Sequence, residues 1–220
     1  MRINRRGFLA GAGAAVAMVA LPGFAHALPV PAGNRLAFRV MRKGSEIGAH
    51  TLDFVREGDR LTVNVAADIA VKFGFLTLFR YTHRATEIWQ GDQVVSISAT
   101  TNDDGKKYTV TGVRRADGFA VEGAEGSYIA PPETLPATHW NRRMLDHPMI
   151  NTQNGKLMEP EISLKGVGFI TKANGQSIEA EHYSMSGDAQ LETWYDMMPF
   201  WAGLSFKAKD GSDVIYQKIG

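Results

Sequence analysis

The sequence predicts an all-β, mainly antiparallel protein: one curved or barrel-like sheet, an open half-barrel or a closed barrel, with one short helix-and-loop insert. Three observations lead there. Apolar and polar residues alternate at period two in one segment after another, the spacing of a half-buried strand. Short turn signals separate these segments, among them Gly91-Asp92, Asp104-Gly105 and Asp117-Gly118. A single stretch, residues 129–157, departs from both habits, opening with Pro131, Pro132 and Pro136. A meander of about ten strands must curl or close to hide its edges, and the insert is expected to pack across its mouth or concave face.

Taken in order, Leu36, Phe38 and Val40 alternate with Ala37, Arg39 and Met41 as a first strand. Lys43-Gly44-Ser45 turns the chain into a second strand carrying Leu52 and Phe54 on one face, and Glu57-Gly58-Asp59 turns it again. The third strand places Leu61, Val63, Val65, Ala67, Ile69 and Val71 on one side and Thr62, Asn64, Asp68 and Lys72 on the other. A fourth strand runs over residues 75–90. At its start, residues 72–79 are apolar on both faces, which suits either a strand covered on both sides or an apolar lip at a ligand opening. Strands over 94–101 and 106–114 follow. Within the insert, Thr138, His139, Trp140 and Asn141 introduce a helix-sized segment over 139–146. Beyond it, Asn154-Gly155 and Asn174-Gly175 carry the type I′ hairpin signature, with strands over 177–186, 191–196, 203–209 and 214–218. No repeat of fixed period and no linker interrupts the run, so residues 28–220 read as a single domain.

Residues 1–27 read as a twin-arginine signal peptide. Arg5-Arg6 precedes Phe8-Leu9, a weakly hydrophobic Gly/Ala run follows, and Ala25-His26-Ala27 is an A-x-A cleavage signature. The run is too short and too poor in Leu and Ile for a membrane span, so the mature protein is expected to lack one. Cleavage after Ala27 removes Arg2, Arg5 and Arg6 from the 24 basic residues, leaving 21 against 23 acidic ones and a net charge of −2. Such a chain lacks the basic footprint of nucleic-acid binding. With no cysteine no disulfide, thiol nucleophile, thiolate metal site or lipid anchor on an N-terminal cysteine is expected. The expectation is a soluble periplasmic protein, with the twin-arginine translocase as its partner during export.

Several motifs resemble a family of exported bacterial proteins described only as a domain of unknown function. They are Ser186-Gly187-Asp188, Leu191-Glu192-Thr193-Trp194-Tyr195-Asp196, Gly203-Leu204-Ser205-Phe206 and Asp210-Gly211-Ser212, with His139-Trp140-Asn141, residues 150–155, and Gly44 and Gly48. The resemblance spans nearly all of the mature chain. Through it the protein is similar, at greater distance, to a group built on an unclosed β-barrel. That group holds periplasmic lipoprotein carriers, lipoprotein-sensing regulators and one cofactor-free enzyme of pigment biosynthesis. The resemblance implies a curved antiparallel sheet around an apolar ligand space. Function does not follow from fold alone.

No residue pattern calls for a metal or cofactor, and none is expected. His50, His83, His139, His147 and His182 fall in no paired metal-ligand spacing. The serines show no nucleophile elbow, and no phosphate loop or dinucleotide fingerprint occurs. Glu179 and Glu181 share a strand face near His182, a solvated face or, if buried, an acid–base pair. The cluster His139-Trp140-Asn141 reads two ways. It could orient a ligand's polar head while Trp140 holds its apolar part, or it could begin a helix capped by Thr138 with Trp140 packed into the barrel. Trp194-Tyr195-Asp196, running on to Trp201, forms either an adaptable apolar surface or the plug of a barrel end.

Three functions compete on these residues. The first is a carrier or binding protein for a lipid-like or aromatic amphiphile. Phe73, Phe75, Leu76, Trp140, Trp194, Tyr195 and Trp201 would wall its site, and His139, Asn141 and Asn151 would orient the polar end. The second is a cofactor-free enzyme with His139 as acid or base and Asp196 as partner. The third is a cell-envelope interaction module using the aromatic-rich loop. The sequence favours a binder over an enzyme.

Overall fold

A computed structural model describes residues 28–220; the signal peptide expected over residues 1–27 lies outside them. The main sheet uses β1 (Arg35–Arg42), β2 (Ser45–Glu57), β3 (Arg60–Phe73), β4 (Leu76–Gln90), β5 (Gln93–Asp103), β6 (Lys106–Arg115), β7 (Gly118–Gly123) and β8 (Gly126–Ala130). An insert follows with β9 (Leu135–Pro136), a 3₁₀ helix (Arg142–Asp146), β10 (Met149–Ile150) and β11 (Leu157–Met158). The chain then returns to the sheet through β12 (Glu161–Thr171), β13 (Ser177–Ser186), β14 (Leu191–Asp196), β15 (Trp201–Lys207) and β16 (Asp213–Lys218).

All 13 strands of the sheet are antiparallel, and their spatial order runs from β12 through β16 to β1 and on to β8. The N- and C-terminal strands pair in the middle, and β8 and β12 are the two free edges. The predicted all-β sheet is therefore present as an open barrel. Among the described residues helix-sized structure is confined to one 3₁₀ turn, with Asn141 rather than Thr138 capping it. Register shifts at β1–β2, β3–β4, β4–β5, β12–β13 and β14–β15 bend the sheet on itself. Gly48 marks the first of these, where a Cβ would stand 2.0 Å from the Asp68 carbonyl oxygen.

The inward faces follow the alternation read from the sequence. Leu36, Phe38 and Val40 of β1, Leu52 and Phe54 of β2, and Leu61, Val63, Val65, Ala67 and Ile69 of β3 are all buried. The turn chemistry differs in detail. Positive φ at both turn residues occurs at Lys43-Gly44 and Asp104-Gly105, whereas Asn154 and Asn174 are not left-handed and only their glycines are. A longer loop at 151–156 and the neighbouring backbone bonds, including Gly155 N donating to Asn151 O at 2.7 Å, give that chain reversal another form.

Antiparallel alternation sets the turns after β1, β3, β5, β7, β13 and β15 at one end of the barrel and the others at the opposite end. The insert joins the last residue of β8 to the first of β12, so it climbs the gap between the free edges. At the lower end Trp140 meets Trp89 and Phe54, each edge-on with ring centroids 5.3 Å apart. Among the described residues no helix is long and apolar enough to cross a membrane.

Candidate functional site

The lower half of the barrel is filled and the upper half is hollow. What fills the base is organised around Glu87, an inward-facing residue of β4 with no exposed surface. Its Oε2 accepts the indole N–H groups of Trp89 (2.8 Å) and Trp140 (3.0 Å), and its Oε1 lies 2.5 Å from the Thr138 hydroxyl. Burial pushes its carboxyl up to about 7, with the three hydrogen bonds acting in the opposite direction. Two N–H donors occupy Oε2, so a proton can sit only on Oε1, where Thr138 serves as acceptor. This arrangement fastens the insert to the wall of the barrel.

Above it lies a cavity of about 700 Å³, within the range of small-ligand sites. Val65, Ala67 and Ile69 of β3 and Leu204 and Phe206 of β15 supply apolar walls. Three histidines, one from each of β2, β4 and the insert, border its deep part: His50, His83 and His139. Burial is the first cause holding all three below the ordinary imidazole range, His50 at about 3 and His83 and His139 at about 4. They are neutral hydrogen-bonding groups at neutral pH.

Trp201 gathers two of them. His139 stacks on it at 5.2 Å between centroids and 21° between planes, and His50 stands edge-on at 5.4 Å and 74°. His83 is held through Nδ1 by the Thr101 hydroxyl (2.9 Å) and through Nε2 by that of Thr152 (3.3 Å). By contrast, His50 Nε2 and His139 Nδ1 have no hydrogen-bond partner. His139 also sits at φ +66°, with Trp140 N donating across it to Thr138 O at 2.9 Å. That is the strained three-residue turn rarely adopted by a residue with a side chain. It is held because Thr138 and Trp140, on either side, are both bonded to Glu87.

The residues singled out from sequence divide sharply. His139, Asn151 and Trp201 line the cavity. Trp140 and Tyr195 do not: both are fully buried, Trp140 in the base and Tyr195 against Tyr183. Asn141 spends its side-chain oxygen on Arg143 N at the 3₁₀ cap. Trp194, one position out of phase with Tyr195, faces the outside of the barrel and stacks on His182 at 4.5 Å. Phe75 projects into solvent at the hairpin between β3 and β4, as does Leu76 beside it, so the 72–79 stretch is not a strand covered on both sides. Asp196 accepts from Met198 N (3.0 Å), Phe200 N (2.8 Å) and Lys218 Nζ (3.1 Å), and His139 is not among its partners.

Glu179, Glu181 and His182 do not form one site either. Glu181 turns to Arg142 and Tyr183, while His182 faces the other side and meets Glu192 at 2.6 Å. Glu87, His50 and His83 were missed by sequence reasoning. The available signal was phase: His83, Ala85, Glu87 and Trp89 occupy alternate positions of one strand, so two polar residues share the face of a core tryptophan. No group of three metal-ligating side chains occurs among the described residues.

Among solved structures, the chain is similar to a beta-barrel-like protein of domain of unknown function DUF1849 from Brucella abortus. The TM-score is 0.59 at 7% identity, covering 84% of this chain and 94% of that one. At that identity the likeness shows the fold. No curated protein matches the sequence. The pattern of one family, described as a domain of unknown function (DUF6134), matches residues 38–219, which is nearly the whole described chain. The protein with this open barrel and histidine-bordered cavity therefore belongs to the DUF6134 family.

Proposed function

We propose that this is an exported periplasmic protein, passed across the membrane by the twin-arginine translocase, that binds or carries a lipid-like or aromatic amphiphile in the barrel. The observation that carries the reading is the half-filled interior: a sealed base beneath a cavity of about 700 Å³ with apolar walls and neutral imidazoles in its deep part. An apolar body fits the walls, and a hydroxyl, phenol or protonated acid suits the neutral imidazoles that border the deep part. The resemblance to the unclosed-barrel carriers agrees with this reading.

An enzyme using His139 would need a carboxylate within hydrogen-bond reach, and Asp196, the partner suggested by sequence, is engaged elsewhere. Native mass spectrometry of the mature protein, purified from its own periplasm, tests the proposal with an organic extract run alongside. Extra mass that partitions into solvent is the expected result and identifies the ligand class. A clean apo mass, together with no uptake of fatty-acid or aromatic probes, rejects it. His139→Ala should change probe affinity by less than roughly tenfold, the scale of one lost neutral hydrogen bond.

A further inference from the structure

We propose that the tip of the β3–β4 hairpin docks the protein on a lipid bilayer. These are the longest strands of the sheet, at 14 and 15 residues, and their neighbours stop short of the tip. Pairing of β2 with β3 ends at Gly48–Ile69, and pairing of β4 with β5 ends at Tyr81–Asp103. Asp104 N still donates to Arg80 O at 2.8 Å, and the β1–β2 turn borders a shallow pocket with Ala70, Val71, Lys72 and Leu78. Residues 70–79 carry no ladder pair to β2 or β5, and the tip reaches about 13 Å past the last bond to the β5 side at the ordinary rise of a strand. A two-stranded arm of this kind normally carries polar residues. This one carries Phe75, fully exposed at the turn, and Leu76 and Leu78, both more than half exposed and on the same face.

The charges around the arm suit a bilayer. Lys72 and Arg80 flank the apolar tip, whereas on the adjacent hairpin Lys106 and Lys107, at the start of β6, are balanced by Asp103 and Asp104, so the cations at the base of the tip are Lys72 and Arg80. Among the described residues Lys72 and Arg80 make no ion pair. An apolar wedge with cations at its base places hydrocarbon below the headgroups and charge among their phosphates. A narrow convex tip also lacks the flat, rimmed area on which a stable protein interface is built. The arm is continuous with the cavity: Val71 and Phe79, at its base, are cavity-lining residues. A docked tip would thus set the cavity mouth towards the membrane. Docking itself rests on the arm alone and does not require the cavity reading.

The absence of cysteine allows a single reporter. Mature F75C, labelled with an environment-sensitive fluorophore, is mixed with extruded phosphatidylethanolamine/phosphatidylglycerol vesicles. The same label at V55C, exposed near the opposite end of the barrel, is the control. The expected result is co-flotation of wild-type protein, a blue shift at position 75 and none at position 55. Binding should weaken with salt and fall by at least about tenfold in F75S/L76S/L78S. A67F, which fills the cavity, should float like wild type, so failure of ligand binding and failure of docking are told apart. Wild type left unbound, equal response of the two labels, or undiminished flotation of the triple variant overturns the proposal. A dimer that dissociates on tip substitution, without vesicle binding, assigns the tip to a second copy and also overturns it.

Discussion

Glu87 illustrates how one buried proton can govern a local structure. Its folded-state value, raised to about 7 against an ordinary 4.5, means that the folded chain keeps a proton that the unfolded chain releases. Between those values its contribution to stability falls as pH rises. Glu87→Gln reproduces the protonated form, with its carbonyl on the two indoles and its amide facing Thr138. It is expected to fold and to lose that contribution, so that urea midpoints rise more steeply with pH than in wild type between about pH 4.5 and 6.5. Glu87→Ala leaves two indole N–H groups without an acceptor and is expected to cost about 3 kcal/mol in the same assay.

The histidines titrate in the opposite sense. His50, His83 and His139 are held neutral by burial, down to about 3 or 4. The unfolded chain therefore gains protons first, and stability is lost as pH falls from about 6.5 towards 4. Three such groups outweigh the single Glu87. Calorimetry should show the melting temperature dropping steadily over this range, and His83→Gln should make the drop shallower. A melting temperature flat between these limits would refute the placement of the three rings.

At the scale of the element, the insert is a strut with separate attachments. Thr138 and Trp140 bind Glu87 of β4, and Arg142 binds Tyr183 and Glu181 of β13. Arg143 donates to the Asp92 carbonyl at 3.1 Å. At the upper end Ala124 N donates to Asn154 O at 2.7 Å, and the Tyr128 hydroxyl donates to Gly155 O at the same distance. Gly123 and Gly155 touch so closely that a Cβ on either would stand 2.7 Å from backbone of the other segment. Gly155 is also left-handed, at φ +81°. Gly155→Ala should therefore cost roughly 2–3 kcal/mol in denaturant unfolding, from conformation and collision together. Gly211→Ala, left-handed but in open space, should cost only about 1 kcal/mol.

At the scale of the molecule, an open sheet and a strut divide one interior into a packed base and a cavity. Filling the cavity should abolish ligand uptake without unfolding the protein, because the base, built on Trp89, Trp140 and Phe54, packs without it. A67F is expected to retain a cooperative melt and to lose binding of a solvatochromic fatty-acid probe. Retained probe binding would move the site elsewhere.

The strands were legible because period-two alternation is a local property. Each of Leu61, Val63, Val65, Ala67 and Ile69 announces the same buried face without reference to any other strand. The insert was equally visible, through its prolines and the break in alternation. Which insert residues line the cavity was not legible. Trp140 is consumed by Glu87, and Asn141 by its own helix cap, partnerships set by how the gap between β8 and β12 is bridged. Trp194 and Tyr195 are adjacent in sequence and point to opposite faces, so only strand phase against the barrel axis separates outside from inside. The sequence by itself determined the sheet, its strand faces and the position of the insert, since these depend on neighbours along the chain. Only the tertiary structure decided that His50, His83 and His139 border one cavity, because they come from three distant segments brought together by closure of the sheet around the strut.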